Sequence, residues 1–441
     1  MGRVLGIVLL LTAAMLAQDA VLQALAAVRG GHPERAVLLL HAHLAQHASD
    51  AEAWNLLGVA EGQRGQSAAA AAALRRALTL QPRLQAANEN LGLLLYRTGH
   101  YREAVGYLGQ AVAAGSGVSV RWTWAQAQHR AGQDSEAATT LLGLQTEMHE
   151  VAPYWEERGA VALALADLAG AEQAFDHALR LQPTSLAALN GAAQVAERQN
   201  NWDKALALLL RARRAAPDDV TTLFHFGHVC LVRDLDDDAL AALGRAHELA
   251  PGSDPILYDL ASAQLALEHY DEAHRLLRSY AAHVPDFPTT YYALGWIDLK
   301  LGRPAAARQA FEQCLRLSPH FQDALYEIAQ LDLDAGRLDA ARAGFQAVLR
   351  LNPRHAPALQ GLGDLALRSG SLADAEVEYR AAVAARPTSG AAHYKLATVL
   401  YRQHRAAEAD QERELAKRLT DAATLAGRMR LKLGVTTADS E

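Results

Sequence analysis

Several groups of side chains in this sequence have the residue types and spacing that chemistry would require. Asp234, Asp236 and Asp238 alternate as the first ligands of a calcium-binding loop do. However, Ala239 stands where such a loop needs glycine, and Arg245 stands where it needs a bidentate glutamate. The alternation therefore predicts an acidic turn at the start of a helix, where carboxylates are favourable, and not a calcium site.

The other candidate motifs are also incomplete. His225 and His228 are close together on one predicted helix, but the spacing suggests no third metal ligand. Gly361 and Gly363 follow no predicted strand, so they do not indicate a nucleotide-binding loop. Neither a nucleophile elbow nor an HExxH motif occurs. The sequence therefore predicts a protein that is not an enzyme, with no catalytic residues, no cofactor and no metal.

Composition places the chain among helical globular proteins. Of the 441 residues, 51% are hydrophobic but only 6% are aromatic, and the abundance of alanine and leucine favours packed helices over sheets. The net charge of −7 and the scattered arginines give no basic patch for phosphates, so we expect no nucleic-acid partner. Cys230 and Cys314, the two cysteines, are predicted to be buried core residues without a disulfide between them.

The elements that position these side chains belong to a repeating unit, read most clearly from Pro288 to Phe321. Apolar residues recur at helical spacing in two stretches, and Gly302 and Pro304 stand between them, as at a helix end and a helix start. The unit predicts a two-helix hairpin that needs stacked neighbours. Those neighbours are present, because the alanine at position 20 recurs at a constant interval as Ala171, Ala205, Ala239, Ala273, Ala307, Ala341, Ala375 and Ala409.

This pattern resembles the tetratricopeptide repeat, a unit of about 34 residues whose signature places a leucine and a small residue in the first helix, alanines and an aromatic residue in the second, and a proline in the linker. About twelve such units cover residues 17–423. The resemblance implies an all-α fold, an α-solenoid in the form of a right-handed superhelix, closed by a C-terminal capping helix.

The domain boundaries follow from the repeats. Between Val118 and Val151 the register slips, and Trp122 and Trp124 do not follow the pattern. We predict a signal peptide at 1–17, a degenerate N-terminal capping repeat at 17–50, repeats with one register slip at 51–151, eight in-register repeats at 152–423, and the end of the capping helix with a tail at 424–441.

The segment at 1–17 differs from the repeats. Arg3 precedes an apolar run from Val4 to Leu11 and then small residues, an order typical of a secretory signal peptide, with cleavage between Ala14 and Ala20. This interpretation predicts a bacterial protein that is periplasmic or secreted. The run is shorter than the ~20 residues of a membrane span, so we expect no stable span in the mature chain. The alternative is that the segment is the first helix of a degenerate repeat.

The resemblance also implies where a partner binds, because positions 2, 5, 9, 12 and 13 of the first helix line the concave groove in that family. The candidate groove residues are Phe224, Tyr258, Tyr292, Trp296, Tyr326 and Tyr394. Such aromatics offer a large contact area to an apolar or proline-containing peptide, and the alternative is that they pack against the next repeat. Five lysines are too few for the family's carboxylate clamp, and Asn55, Asn90 and Asn190 are read as isolated, without an asparagine ladder.

The function predicted from these features is a non-catalytic scaffold or adaptor that binds a protein or peptide segment. One alternative is a substrate-holding subunit of an enzyme system for cell-envelope polysaccharide or protein maturation. Another is a structural oligomer. The chain is predicted to be a monomer, but a stripe from Leu415 through Leu419, Ala422, Ala426 and Met429 to Leu433 keeps open a dimer through the C-terminal helix.

Overall fold

The computed structural model describes residues 20–433, and describes side chains as far as residue 421. The predicted leader at 1–17 and the tail from residue 434 lie outside these residues, as do the side chains of Ala422, Ala426, Met429 and Leu433. The described residues form helices joined by short turns, and the chain divides into two compact units, Met1–Ala216 and Pro217–Glu441. The prediction of an all-α fold made of paired helices is confirmed.

Unit 1 contains six helix pairs and one additional short helix. The helices are α1 (20–29), α2 (Pro33–Leu44), α3 (Ala51–Gln63), α4 (Ser67–Leu80), α5 (Gln85–Arg97), α6 (Tyr101–Ala113), α7 (Val118–Arg130), α8 (Asp134–Leu142), α9 (Gln145–Met148), α10 (Ala152–Ala164), α11 (Leu168–Leu181), α12 (Leu186–Arg198) and α13 (Trp202–Ala215).

Unit 2 contains six further pairs. Its helices are α14 (Val220–Val232), α15 (Asp236–Leu249), α16 (Asp254–Ala266), α17 (Tyr270–His283), α18 (Pro288–Lys300), α19 (Pro304–Leu317), α20 (Gln322–Asp334), α21 (Leu338–Leu351), α22 (Ala356–Arg368), α23 (Leu372–Ala385), α24 (Gly390–Arg402) and α25 (Ala406–Leu433). In both units we call the helix of a pair that comes earlier in the sequence its first helix, so the first helices of unit 2 are the even-numbered ones.

Each pair is held by small residues that face large ones. The repeated alanines of the second helices, such as Ala171 and Ala307, are completely buried. On the facing first helix, Gly295 lies so close to Phe311 that an added Cβ would be 2.6 Å from the ring. The two helices can approach this closely only because one side lacks a side chain, which explains the small residue at position 8 of the repeat.

The turn between the two helices of a pair needs a residue in the left-handed backbone conformation, with positive φ. Gly302 has φ of +70°, and Pro304 begins α19, as predicted. In other pairs a non-glycine residue takes this conformation, including Ala166 at 58° and Glu268 at 60°. Such residues carry a steric cost that glycine avoids.

The fourth pair of unit 1 departs from this regular arrangement. Its second helix, α8, ends at Leu142, and the short α9 follows it. The hydroxyl of Tyr154 donates to the carbonyl oxygen of Leu141 at 2.9 Å, next to the interruption. The indole of Trp124 packs on Gly109 and donates to the carbonyl of Val105 at 3.1 Å. Large aromatic residues therefore fill the space where this pair is irregular.

Two smaller predictions are confirmed by the helices. The acidic run opens α15, where Asp236, Asp237 and Asp238 occupy the first turn, as predicted. Cys230 and Cys314 are both buried, on α14 and α19. Among the described residues, no helix combines the length and the apolar character that crossing a membrane requires.

Candidate partner-binding face

The first helices of each unit lie side by side, and polar contacts between neighbouring first helices define the surface that they share. In unit 2, His228 Nδ1 lies 2.8 Å from Asp259 Oδ2, which joins α14 to α16. Farther along, Lys395 Nζ donates to Asp364 Oδ2 and joins α24 to α22. We call this surface of unit 2 the first-helix face.

Three tyrosines stand at equivalent positions on this face, and each is half-buried. Each ring packs on two others: one from the second helix of its own pair, and one from the residue that precedes the next first helix. The ring-centroid distances are 5.2 Å and 5.8 Å for Tyr258 to Tyr280 and Phe287, 5.7 Å and 5.2 Å for Tyr292 to Phe311 and Phe321, and 6.0 Å and 5.5 Å for Tyr326 to Phe345 and His355. The tyrosines therefore contribute to packing and still reach the surface.

Trp296 lies one helical turn after Tyr292 on α18. Its ring meets Tyr270 edge-on, with centroids 6.0 Å apart. The ammonium group of Lys300 lies over the indole, 4.7 Å from the ring centroid. This is a cation–π contact, so the face already holds one cation on an aromatic ring.

Carboxylates on α20 face these aromatic residues. Burial, together with the charges of Asp323 and Glu327, raises the pKa of Tyr292 to about 12. Burial also raises the pKa of Glu327 itself; Asp323 adds to that rise, and Lys300 opposes it. Within residues 20–421, the carboxylates of Asp323 and Glu327 form no salt bridge and accept no hydrogen bond. This part of the face therefore carries negative charge beside aromatic rings, and Lys300 compensates it only in part.

The remaining two predicted site residues lie at either side of this centre. Phe224 is on α14, where its ring centroid is 5.2 Å from that of His225 and 6.3 Å from that of His228. Tyr394 is on α24, 59% exposed, and lines a cleft of about 260 Å³ with Tyr401, which is 66% exposed. The structure therefore places four of the six predicted residues together, on α16, α18 and α20.

Sequence reasoning missed a polar contact and a cavity in unit 1. Asn90 Nδ2 donates to Asn55 Oδ1 at 2.9 Å, so the reading of these asparagines as isolated is wrong. They are 35 residues apart, one residue more than the repeat length, because Asn55 is at position 5 of its repeat and Asn90 is at position 6 of the next. Beside them is a cavity of about 480 Å³, lined by Val59, Leu93 and Arg97 among others. The separation of 35 residues between the two asparagines is the feature of the sequence that could have predicted their contact.

Unit 1 also buries a carboxylate on one of its first helices. Glu157 on α10 has one carboxylate oxygen, Oε1, that is buried without a hydrogen-bond partner among the described residues. Burial raises the pKa of Glu157, and the positive charges of His129 and Arg130 act against that rise. Counting along the repeats, Glu157 and Glu327 occupy the same position of their units. Glu157 has two basic neighbours, His129 and Arg130, whereas Glu327 has one, Lys300.

No group of three or more histidine, cysteine, aspartate or glutamate side chains in the described part of the chain is arranged to hold a metal ion. His228, considered from sequence as one half of a metal-binding pair, is instead engaged with Asp259. The first-helix face offers aromatic surface, carboxylates and the ammonium groups of Lys300 and Lys395, which suit non-covalent binding.

Sequence comparison identifies the repeat. One family model, described as tetratricopeptide repeat, matches residues 21–84, 89–147, 157–220 and 362–434. A second model with the same description matches residues 237–295 and 298–365. No curated protein matches the sequence.

Several solved structures match the chain at low identity. YrrB, a TPR protein with an unusual peptide-binding site, is 20% identical, and the match covers 43% of this chain and 97% of that one with a TM-score of 0.40. The Cut9–Hcn1 hetero-tetramer of the APC/C is 13% identical over 92% of this chain and 94% of that one, with a TM-score of 0.47. PilF of Pseudomonas aeruginosa is 18% identical over 46% and 93%, with a TM-score of 0.40.

Proposed function

The chain belongs to the tetratricopeptide repeat family, and from that premise we propose that it is a non-catalytic scaffold that binds a protein segment along the first-helix face of unit 2. The segment lies in the groove that successive first helices form. Catalysis, where the complex has any, belongs to the partner.

The observation that supports this proposal is the placement of Tyr258, Tyr292 and Tyr326. They stand at the same position of three successive repeats, on α16, α18 and α20, and each keeps part of its ring at the surface. Rigid aromatic rings at regular intervals give a bound segment large contacts at low entropic cost. Their packing on neighbouring rings holds them in place before binding, which reduces the cost of ordering.

Site-specific photo-crosslinking in the producing cell tests the proposal. A benzophenone amino acid replaces Gln330, which is half-exposed on α20 between Tyr326 and Asp334, or Glu312, which is exposed on the second helix α19. We expect a discrete adduct from position 330, with the crosslinked peptide of the partner identified by mass spectrometry. Position 312 should give none.

The control position 312 lies in the same region of unit 2 as position 330, on the neighbouring second helix α19. Equal adducts from positions 330 and 312 would show contact without preference for the first-helix face. An adduct from position 312 alone would move the binding surface to the second helices and overturn the proposal.

A second candidate is a structural oligomer formed at the open end of unit 2. Tyr394 and Tyr401 are among the most exposed large apolar residues described, and no further helix pair covers them within the described residues. An exposed apolar patch at the end of a repeat array can join two copies. Light scattering should then show a dimer that the double change Tyr394→Ser and Tyr401→Ser dissociates, whereas the monomeric scaffold gives one mass for both proteins.

We also propose that the protein is exported from a bacterial cell through the segment at 1–17. The supporting features are Arg3, the apolar run after it and the small residues between Thr12 and Ala20. N-terminal sequencing of the exported protein should begin between Met15 and Val21. A product that stays in the cytoplasm and retains Met1 would contradict export.

A further inference from the structure

The centre of the first-helix face joins three features that point to the charge of its partner. Tyr292 and Trp296 supply two aromatic rings one turn apart on α18. Asp323 and Glu327 supply two carboxylates one turn apart on the adjacent first helix α20. The Tyr292 ring packs on Phe321, the residue that precedes α20, with ring centroids 5.2 Å apart, and the charges of both carboxylates act on the Tyr292 phenol, so the two pairs belong to one site.

The carboxylates at this site lack the partners that similar groups have elsewhere on the face. Asp259 is held by His228, and Asp364 is held by Lys395 and by the Tyr379 hydroxyl at 2.6 Å. Asp323 and Glu327 have no such partner within residues 20–421. Glu327 is half-buried, and a half-buried carboxylate without a hydrogen-bonded partner is unfavourable for folding, so a bound cation would remove that cost.

The Trp296 ring shows which kind of group the site accepts. Lys300 lies over it at 4.7 Å and forms no salt bridge within the described residues. Its positive charge lowers the pKa of Glu327, opposing the effects of burial and Asp323. Lys300 therefore supplies part of the compensation, but two carboxylates face one ammonium group.

The charge of the two units agrees with this local picture. Unit 1 has 18 basic and 18 acidic residues, whereas unit 2 has 24 basic and 31 acidic residues, so the whole net charge of −7 belongs to unit 2. Negative charge on this scale attracts and orients a cationic partner before contact.

We propose that the segment bound by the first-helix face is basic, and that an arginine side chain of the partner lies between the Tyr292 and Trp296 rings and the carboxylates of Asp323 and Glu327. This inference rests on the proposed scaffold function and specifies its partner. A planar guanidinium fits best, because it stacks on an aromatic ring and also donates two parallel hydrogen bonds to a carboxylate. An extended segment with further basic residues would reach Asp334 along the same face.

The test uses the full chain and a fluorescein-labelled dodecapeptide in which arginine and serine alternate. Citrulline, which has the shape of arginine without its charge, replaces arginine in a second peptide. Fluorescence anisotropy near physiological ionic strength keeps long-range attraction small. We expect the arginine peptide to bind at least about tenfold more tightly than the citrulline peptide.

Two double variants with the same change in net charge locate the binding. The first combines Asp323→Asn with Glu327→Gln, and the second combines Asp237→Asn with Asp339→Asn, which are exposed residues at the starts of α15 and α21. The first should lose about tenfold in affinity and the second less than about twofold. Equal losses from both variants would show attraction to the unit as a whole and overturn the site.

Thermal unfolding separates a binding role from a structural one. Glu327→Gln removes a half-buried charge that has no hydrogen-bonded partner, so its melting temperature should equal or exceed that of the parent while its affinity falls. A large fall in melting temperature would mark Glu327 as structural and overturn its assignment to binding. If position 330 crosslinks a partner segment without basic residues, the scaffold function stands and the basic-segment inference fails; if position 330 gives no adduct, the scaffold function fails.

Discussion

Units 1 and 2 are built from the same repeat, yet they present different surfaces. Both contain six helix pairs, and both bury an alanine at position 20, as Ala171 and Ala307 show. On the surface that the first helices share, unit 1 has an asparagine pair, Arg97 and a cavity of about 480 Å³. At the equivalent place unit 2 has tyrosines, a tryptophan and carboxylates whose charge Lys300 compensates only in part.

This difference shows that packing and recognition use separate positions of the repeat. Positions that face the partner helix are restricted to small or complementary apolar residues, because the helices leave no spare volume there. Positions on the shared surface of the first helices are only half-buried, so polar, aromatic or charged residues all fit them. The surface can therefore change between units while the fold stays the same.

The largest effect is expected from a charge placed in the packed column. Ala307→Glu buries a carboxylate without a partner against Phe311, which should destabilise unit 2 by about 3–5 kcal/mol. Hydrogen exchange should report the loss of protection mainly between Asp254 and His355, because each repeat contacts its neighbours.

The matched change in unit 1 is Ala171→Glu, at a position that is equally buried. It should lower protection around α10 and α11 and leave the α18–α21 region close to the parent. Loss of protection across the whole chain from either variant would show that the repeats unfold as one body, and the two units could then not be treated separately.

Removing one aromatic side chain from the first-helix face should weaken binding more than folding. Tyr292→Ala should reduce the affinity for the arginine peptide by about 1–3 kcal/mol, and adding Trp296→Ala should reduce it further. Stability should change less, because the Tyr292 ring is only half-buried. Titration with the arginine peptide measures the affinity, and thermal unfolding of the same samples measures the stability.

Tyr96→Ala in unit 1 is the comparison for that experiment. Tyr96 is also half-buried on a first helix, but it lies next to Arg97, so its loss should leave the affinity for the arginine peptide unchanged. If Tyr292→Ala binds as tightly as the parent while its melting temperature drops sharply, the unit 2 aromatics serve packing alone.

The fold was predictable from sequence because every packing position recurs at a fixed interval. Ala307, Gly302 and Pro304 each take the place that the repeat period gives them. The site was only partly predictable, because a face depends on contacts between neighbouring repeats. Tyr292 could be identified from its column, whereas the relation of Glu327 to Tyr292 requires knowing that α18 and α20 are adjacent.

A smaller effect is expected at the turns, where the units can be compared directly. Glu268 in unit 2 and Ala166 in unit 1 both have positive φ, at 60° and 58°. Replacing either by glycine removes a steric cost but adds entropy to the unfolded chain, so the net gain should be about 0.5–1 kcal/mol. Gly302→Ala should lose about as much. Urea unfolding measures all three, and destabilisation by both glycine substitutions would contradict the steric argument.

The smallest effect is expected from pH, because a proton bound by Glu327 removes the negative charge that attracts the basic segment. The pKa of Glu327 lies above that of an ordinary glutamate, so acidification from pH 7 to pH 5 should begin to neutralise it and weaken binding of the arginine peptide by about threefold. Solvent screens the effect, since Glu327 is only half-buried. The other charged or titratable groups that face it are Asp323, Lys300, Tyr292 and Tyr326, with His355 against the Tyr326 ring.

Burial lowers the pKa of His355, so this imidazole gains a proton less readily than an ordinary histidine, and its positive charge would then also repel the segment. Comparing variants isolates the carboxylate. Glu327→Gln should bind more weakly near pH 7 and should lose most of the pH dependence, because the group that titrates is gone. Glu157→Gln removes the equivalent glutamate of unit 1 and should leave both affinity and pH dependence unchanged. If Glu327→Gln kept the parent's pH dependence, the proton would be taken up elsewhere, and His355→Gln would be the next variant to measure.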